Sequence, residues 1–229
     1  VREEQGVFAQ AVGQALQQGS ALVAEVGTGV GKTFAYLVPL LLSGKRALVS
    51  TATKSLQDQL YNRDLPRLLT ALNAPVRTAL LKGRSSYLCL HRLKRARQGD
   101  DAGGFVPSDR FTQRALARIE SWAMRTTTGD VSEVEGMDER SAVIPLVTST
   151  RDNCLGSDCP DFAACHLVLA RRDAMAADVI VINHHLFFAD LAVRDSGVAE
   201  LLPSVDAVVF DEAHQLIDVG VQFSGTTLA

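Results

Sequence analysis

The sequence lacks the features that mark membrane, secreted and strongly basic proteins. No apolar run approaches the roughly 18 residues that suggest a membrane-spanning helix, and no charged start precedes an apolar stretch as in a signal peptide. We therefore expect a cytoplasmic protein without a membrane partner. The formal net charge of -3 gives the whole chain no attraction to nucleic acid, so such binding needs a local group of basic residues. Internal repeats and low-complexity tracts are also missing.

The 229 residues, 47% hydrophobic and 21% charged, are typical of a globular protein with one large or two small domains. Short apolar runs predict buried strands at 21–26, 46–51, 76–81, 179–182 and 205–210. Apolar residues at helical spacing predict helices between them, at 2–17, 34–42, 54–69 and 167–177. This alternation indicates an α/β fold, with a parallel sheet covered by helices.

The alternation stops over residues 82–168. This stretch is irregular apart from a helix predicted near 110–125, and it contains all four cysteines. We therefore predict one α/β domain in two parts, 1–81 and 169–229, interrupted by an inserted module at 82–168.

A glycine-rich loop, VGTGVGKT at 26–33, follows the first predicted strand and opens a helix. Backbone N–H groups at such a turn can point at phosphate oxygens, the Lys32 ammonium can reach the β and γ phosphates, and the Thr33 hydroxyl can ligate Mg²⁺. The usual pattern begins with Gly where this chain has Val26. The alternative is a glycine-rich turn before an ordinary helix. It is disfavoured because packing alone does not require GKT at this place. The predicted nucleotide-binding residues of the loop are Gly27, Thr28, Gly29, Val30, Gly31, Lys32 and Thr33.

The strand predicted at 205–210 is followed directly by DEAH. Carboxylates at the carboxyl end of such a strand lie where open α/β sheets bind ligands. Asp211 can hold Mg²⁺, Glu212 can orient the attacking water, and His214 can sense the γ phosphate. An acidic helix N-terminus is the alternative, and the earlier GKT motif makes it much less favourable.

The four cysteines are Cys89, Cys154, Cys159 and Cys165, and no two are spaced as CxxC. Disulfides are unexpected in the cytoplasm. Zinc knuckles usually have closer pairs, so the spacing fits an iron-sulfur cluster better than zinc. Zinc ligands and unligated core cysteines remain alternatives on spacing alone.

Basic residues crowd the first cysteine, with Tyr87 among them: Lys82, Arg84, Arg92, Lys94, Arg95 and Arg97. A basic groove with an aromatic side chain can hold a single strand through phosphate charge and base stacking. We predict phosphate contacts at Arg84 and Arg95. A solvated helix face is the alternative interpretation.

Together these motifs resemble the iron-sulfur superfamily 2 DNA helicases of the XPD/DinG type, over the length of the chain. The stretches that carry the resemblance are REEQ at 2–5, EVGTGVGKT at 25–33, STATKSLQDQL at 50–60, LLKGRSSYLC at 80–89, NCLGSDCPDFAAC at 153–165, ADVIVINHHLF at 177–187 and DEAH at 211–214. The resemblance implies a RecA-like P-loop NTPase motor domain, with ATP and Mg²⁺ as cofactors and a 4Fe-4S cluster on the four cysteines. It assigns Gln5 to the adenine base and Thr51 and Thr53 to the backbone of single-stranded DNA.

The resemblance also implies 5′-to-3′ movement on single-stranded or forked DNA during repair or replication, with a replication-associated protein as a further partner. Because nothing after DEAH would supply arginine fingers or a second motor domain, we expect this chain alone to hydrolyse ATP poorly. One rival is a P-loop repair ATPase or switch with a zinc-bound interaction module. A redox sensor with a vestigial nucleotide site is disfavoured because Lys32, Thr33, Asp211 and Glu212 are all present.

Overall fold

A computed structural model describes residues 3–27, 29, 31–101, 104–105, 109–138, 140–195 and 201–224. Two predicted nucleotide-binding residues, Thr28 and Val30, lie outside the described residues. The chain packs as two compact units, one formed by 1–81 and 173–229 and the other by 82–172. None of the described helices has both the length and the apolar character needed to span a bilayer.

Helices make up most of the regular secondary structure of the described residues. They are α1 (Glu3–Gln18), α2 (Lys32–Leu42), α3 (Lys54–Gln59), α4 (Leu65–Leu72), α5 (Leu90–Arg97), α6 (Arg110–Ala123), α7 (Ile144–Val147), α8 (His166–Ala176), α9 (His184–Asp195) and α10 (Leu216–Ser224). The strands are β1 (Ala47–Thr51), β2 (Thr78–Leu80), β3 (Asp100–Asp101), β4 (Gly104–Phe105), β5 (Val179–Asn183) and β6 (Ala207–Phe210). A π-helical turn at Leu60–Asp64 joins α3 to α4 within the helix predicted over 54–69.

The first unit is built on a four-stranded sheet in the order β2-β5-β1-β6. Every strand pair in it is parallel, which confirms the predicted α/β fold with a parallel sheet. The register aligns Ser50 of β1 with Ile182 on one side and with Phe210 on the other. The carboxyl ends of β5, β1 and β6 therefore meet at one edge of the sheet, and the loops that leave this edge lie side by side.

The core of the first unit lies between the sheet and α1, α2 and α4. All five residues of β1 are buried, as expected for a strand with neighbours on both sides. Leu37 and Leu40 of α2 are buried against Val49 and Val181 of the sheet. Each fully buried leucine contributes about 1.5–3 kcal/mol to the stability of the fold, and this packing fixes the start of α2.

The predicted strand at 21–26 is wrong. These residues have no regular secondary structure, and Val23 is 99% exposed and Leu22 43%. An apolar run makes a strand favourable only when a neighbouring strand satisfies its backbone hydrogen bonds. None of the described strands pairs with this run. β6 is an edge strand of this sheet, and its Val208 is 41% exposed.

The second unit has an apolar core of its own. Leu116 and Ile119 of α6 are fully buried, and they belong to one cluster with Leu88, Val131 and Val147. Two isolated antiparallel bridges, Tyr87 with Asp130 and Leu88 with Thr148, hold its loops together. The second unit therefore does not depend on its cysteines alone for a core.

Gly129 provides a test of packing in the second unit. Its φ is +68°, and a Cβ there would lie 2.1 Å from Cγ of the buried His166. Because Gly129→Ala adds both backbone strain and a clash, we expect it to lower the free energy of unfolding by about 2–4 kcal/mol. Chemical denaturation followed by circular dichroism measures this loss.

Gly99→Ala is the matched control. Gly99 has a φ of +77° and no atom within 4 Å of an added Cβ, so it tests backbone strain alone, about 1–2 kcal/mol. An equal loss of stability in the two variants would show that His166 does not clash with the methyl group added at position 129.

Candidate functional site

The glycine-rich loop turns through left-handed backbone before α2. Gly29 has a φ of 77° and Gly31 of 85°, and most residues reach such values only under strain. A Cβ on Gly31 would also lie 2.6 Å from Nε2 of Gln5. That nitrogen donates a hydrogen bond to the Gly31 carbonyl over 3.2 Å. Gln5, assigned to adenine by the resemblance, thus lies against the loop backbone.

Lys32 and Glu212, 180 positions apart in the sequence, meet directly. Lys32 is the first residue of α2, and its Nζ donates to Glu212 Oε1 over 3.1 Å. Both side chains are 32% exposed, so the pair lies at the surface of the carboxyl edge of the sheet. His214 is exposed, with Nδ1 3.5 Å from Glu212 Oε2. The structure therefore brings Lys32, Glu212 and His214 together.

Asp211 directly follows β6 and is held on three sides. Its N–H donates to the Ser50 carbonyl over 2.9 Å. One carboxylate oxygen accepts from the Tyr36 hydroxyl over 3.1 Å, and the other accepts from the N–H of Glu212 over 3.1 Å. The Asp211 carboxylate is thus fixed next to α2.

Tyr36 is a site residue that the sequence analysis missed. Burial raises the pKa of Tyr36 well above its usual value, and the charge of Asp211 and its hydrogen bond raise it further. The Thr33 side chain opposes the rise in pKa. Thr33 and Asp211, the two predicted Mg²⁺ ligands, therefore both act on the Tyr36 hydroxyl. Spacing in the sequence could have identified Tyr36, because it is three residues after Thr33 and lies on the same face of the helix.

Thr51 and Thr53 leave β1 at the same edge of the sheet. Thr51 is 1% exposed, and its hydroxyl donates to the carbonyls of Thr53 and Ile182 over 3.2 and 3.4 Å. Thr53 is exposed and caps α3, its hydroxyl accepting from the N–H of Leu56 over 3.2 Å. The helix cap is thus present, and only Thr53 of the two presents its side chain to solvent.

Part of the predicted basic groove is wrong. Lys82 is buried, with Nζ 2.5 Å from Asp130. Arg92 is buried too and donates to the Pro145 carbonyl over 3.0 Å. Tyr87 is 5% exposed, and its hydroxyl accepts from the N–H of Lys82 over 3.0 Å, so its ring is not available for base stacking. Spacing along the chain could not show that these side chains fold inward.

The other basic residues near the first cysteine lie closer to solvent. Lys94 is paired with Asp161, and Arg97 with Glu120 over 3.0 Å. The two predicted phosphate contacts, Arg84 and Arg95, are half-buried.

Arg84 also has a cationic neighbour. Burial lowers the pKa of Arg171, and the charge of Arg84 lowers it further, whereas Cys154 and Cys165 act to raise it. Arg84, Cys154 and Cys165 are therefore all within electrostatic reach of Arg171.

The four cysteines are free and half-buried, and all lie in the second unit. Two of them directly precede helices: the Cys89 carbonyl accepts from Leu93 in α5, and the Cys165 carbonyl accepts from Leu169 in α8. The N–H of Gly156 donates to Cys154 Sγ over 3.5 Å. An N–H group that donates to sulfur, as at Cys154, favours a negatively charged sulfur atom.

The thiols are close enough to act on one another. Burial raises the pKa of Cys89, the backbone at Arg92 opposes this, and the thiols of Cys159, Cys165 and Cys154 raise the pKa further. No group of three or more His, Cys, Asp or Glu among the described residues is placed to hold a single metal ion.

Comparisons with known proteins find similarity to helicases. The family of DEAD/DEAH box helicases matches residues 7–98. The chain is 51% identical over 228 residues to the ATP-dependent DNA helicase YoaA of Escherichia coli, covering 100% of this chain and 35% of the relative. It is 49% identical over 228 residues to YoaA of Haemophilus influenzae, covering 99% and 35%.

A more distant relative is the ATP-dependent helicase DinG of Mycobacterium tuberculosis, 38% identical over 235 residues, with 95% of this chain and 34% of the relative covered. The chain thus spans about a third of the length of these curated relatives. The helicase resemblance predicted from the sequence is confirmed.

The ion pair between Lys32 and Glu212 generates a prediction. The ammonium must leave Glu212 to reach a phosphate, so Glu212→Gln should raise the affinity for an ATP analogue by a factor of about two to five. Equilibrium titration with a fluorescent analogue measures it. Asp218→Asn is the matched control, because it removes one carboxylate from an exposed position in the first turn of α10. A similar gain in both variants would attribute the effect to net charge.

Proposed function

We propose that this chain is the nucleotide-binding part of an ATP-dependent DNA helicase. One observation carries the proposal most directly: the Lys32 ammonium and the Glu212 carboxylate, from the two motifs of a P-loop NTPase, lie 3.1 Å apart. The similarity of the whole of this chain to about a third of proteins named DNA helicases supports it. The proposal includes 5′-to-3′ movement in the cytoplasm during repair or replication, with a replication-associated protein as partner.

Phosphoryl transfer needs positioning and charge compensation more than covalent chemistry. Lys32 exchanges its partner Glu212 for the β and γ phosphates, and the N–H groups of Gly27, Gly29 and Gly31 bind phosphate oxygens. Freed from Lys32, Glu212 orients the attacking water. His214, next to Glu212, senses the γ phosphate.

Mg²⁺ is expected for a DEAD/DEAH helicase, and Thr33 and Asp211 would hold it. The Tyr36 hydroxyl, which hydrogen-bonds Asp211, keeps that carboxylate turned toward α2. When bound, the ion supplies positive charge that neutralises the phosphates. Gln5, at the loop on the same side of α2, binds the adenine.

The proposed nucleic-acid contacts are Thr51, Thr53, Arg84 and Arg95, on single-stranded or forked DNA. Thr53 offers an exposed position at the carboxyl end of β1, and Thr51 contributes through its backbone because its side chain is buried. Arg84 and Arg95 supply charge to phosphates without reading the sequence of bases.

The proposed second cofactor is a 4Fe-4S cluster on Cys89, Cys154, Cys159 and Cys165. The mutual influence of the four thiols and the positive charge of Arg84 and Arg171 support it, since a cluster with four thiolates is an anion. Such a cluster would contribute folding free energy to the inserted module, proposed at 82–168 between the two parts of the RecA-like domain, 1–81 and 169–229.

Single-strand-dependent ATP hydrolysis by the full-length protein tests the proposed function. We expect Lys32→Ala to reduce turnover at least about a hundredfold, because the ammonium compensates charge in the transition state. Lys45→Ala, in the connection after α2, is the matched control and should keep wild-type turnover. A wild-type protein that hydrolyses ATP equally well with and without single-stranded DNA would overturn the proposal.

The DNA contacts have a separate test in the salt dependence of single-strand binding. Arg84→Gln and Arg95→Gln should each weaken binding and reduce the slope of log K against log salt by about 0.7 for each lost phosphate contact. Arg114→Gln, from an exposed position on α6, is the control with the same charge change. An unchanged slope would reject the tested arginine as a phosphate contact.

The cluster is tested by iron, acid-labile sulfide and zinc per chain in protein prepared without oxygen. We expect about four iron and four sulfide per chain, lost in Cys89→Ser and Cys154→Ser but kept in Ser157→Ala, a control in the same loop. Stoichiometric zinc without sulfide would instead support a repair ATPase or switch with a zinc-bound interaction module.

A further inference from the structure

His184 lies at the carboxyl edge of the sheet, where β5 ends and α9 begins. It is fully buried, and its Nδ1 is 2.7 Å from the Ser50 hydroxyl. Ser50, also fully buried, is the β1 residue whose carbonyl accepts the N–H of Asp211 over 2.9 Å. One serine thus bonds the end of β5 through its side chain and the end of β6 through its backbone.

The other ring nitrogen of His184, Nε2, is a buried polar atom. It makes no hydrogen bond among the described residues. Burial lowers the pKa of His184, while the nearby backbone at Asp211 and Glu212 acts in the opposite direction. A neutral imidazole has a single proton to share between its two nitrogens.

One tautomer satisfies these surroundings. With the proton on Nε2, Nδ1 accepts from the hydroxyl of Ser50, and the carbonyl of the same serine accepts from the N–H of Asp211. The Phe210 ring, with its centroid 6.1 Å away, closes the pocket on the side of β6. In this tautomer His184 is a polar link from β1 to the DEAH backbone.

The backbone conformation of Glu212 requires support from its surroundings. Its φ is 57°, a left-handed conformation that is strained for a residue other than glycine. Such a conformation persists only where its surroundings hold it, and the direction of the Glu212 side chain depends on it. The preceding residue, Asp211, is bonded to Ser50, which is also the hydrogen-bond partner of His184.

We propose that His184 is a positioning residue that couples the end of β1 to the orientation of Glu212. The proposal rests on the proposed function. Thr51 and Thr53, the proposed DNA contacts, directly continue the strand of Ser50, so a shift at that end on DNA binding reaches Glu212 through Ser50 and His184. His184 thereby contributes to DNA-stimulated hydrolysis without touching the nucleotide.

The test separates the two halves of the link in the full-length protein. His184→Asn keeps a polar atom near the position of Nδ1, His184→Gln keeps a donor near the position of Nε2, and Ser50→Ala removes the other partner. His185→Asn is the control, since His185 is the exposed neighbour of His184. The measurements are turnover with and without single-stranded DNA, KM for ATP, and affinity for single-stranded DNA.

We expect each of the three variants to lower the ratio of DNA-stimulated to basal turnover by about tenfold. KM and DNA affinity should change less than about twofold, since neither ligand is contacted. Ser50→Ala combined with His184→Asn should be no worse than the stronger single variant, because both break one link. His185→Asn should keep the wild-type ratio.

Wild-type ratios in His184→Asn, His184→Gln and Ser50→Ala would overturn the inference while leaving the helicase function intact. A higher KM together with comparable losses of DNA affinity and thermal stability would also overturn it, because such changes indicate a purely structural role. If the His184 variants do not fold, Ser50→Ala decides, because it removes only a hydroxyl. Failure of the proposed function itself would be visible in the wild type, as turnover that does not respond to DNA.

Discussion

The parallel register of β5, β1 and β6 is the constraint on which the candidate site depends. Because Ser50 is aligned with Ile182 and with Phe210, the chain leaves all three strands at the same level. Thr51 is the last residue of β1, and His184 and Asp211 directly follow β5 and β6. The three residues therefore lie at neighbouring strand ends, although they are far apart in the sequence. The burial of β1 on both faces fixes this alignment, since a slip by one residue would reverse every side chain.

The ion pair at this edge has a different role from the sheet below it. Lys32 and Glu212 are each 32% exposed, and pairs of that kind contribute about 0–1 kcal/mol to stability. A contact this weak can be exchanged for a phosphate at little cost, whereas the buried packing of α2 that directs Lys32 remains. Stability and ligand exchange are therefore assigned to different residues of one helix, Leu37 and Leu40 for the first and Lys32 for the second.

Sequence patterns predicted most where one physical factor decides the outcome. The runs at β1 and β5 are apolar throughout, and both became buried parallel strands; the run at 21–26 is equally apolar but has no described strand beside it. The meeting of Lys32 with Glu212 followed from the rule that ligands gather at the carboxyl edge of such sheets. Burial of Lys82 against Asp130 and the position of Tyr36 beside Asp211 depend on contacts between distant residues, which local spacing does not contain.

The cysteines in the second unit are subject to opposing influences. Burial and the neighbouring thiols raise the pKa of Cys89 and favour its neutral form. The start of α5 and the positive charge of Arg84 and Arg171 favour negative sulfur in the same region. Half-buried arginines beside neutral thiols would receive no counter-charge from the sulfur atoms. Four thiolates on a metal cluster would provide that charge, so the arginines are an argument for the cluster that is independent of cysteine spacing.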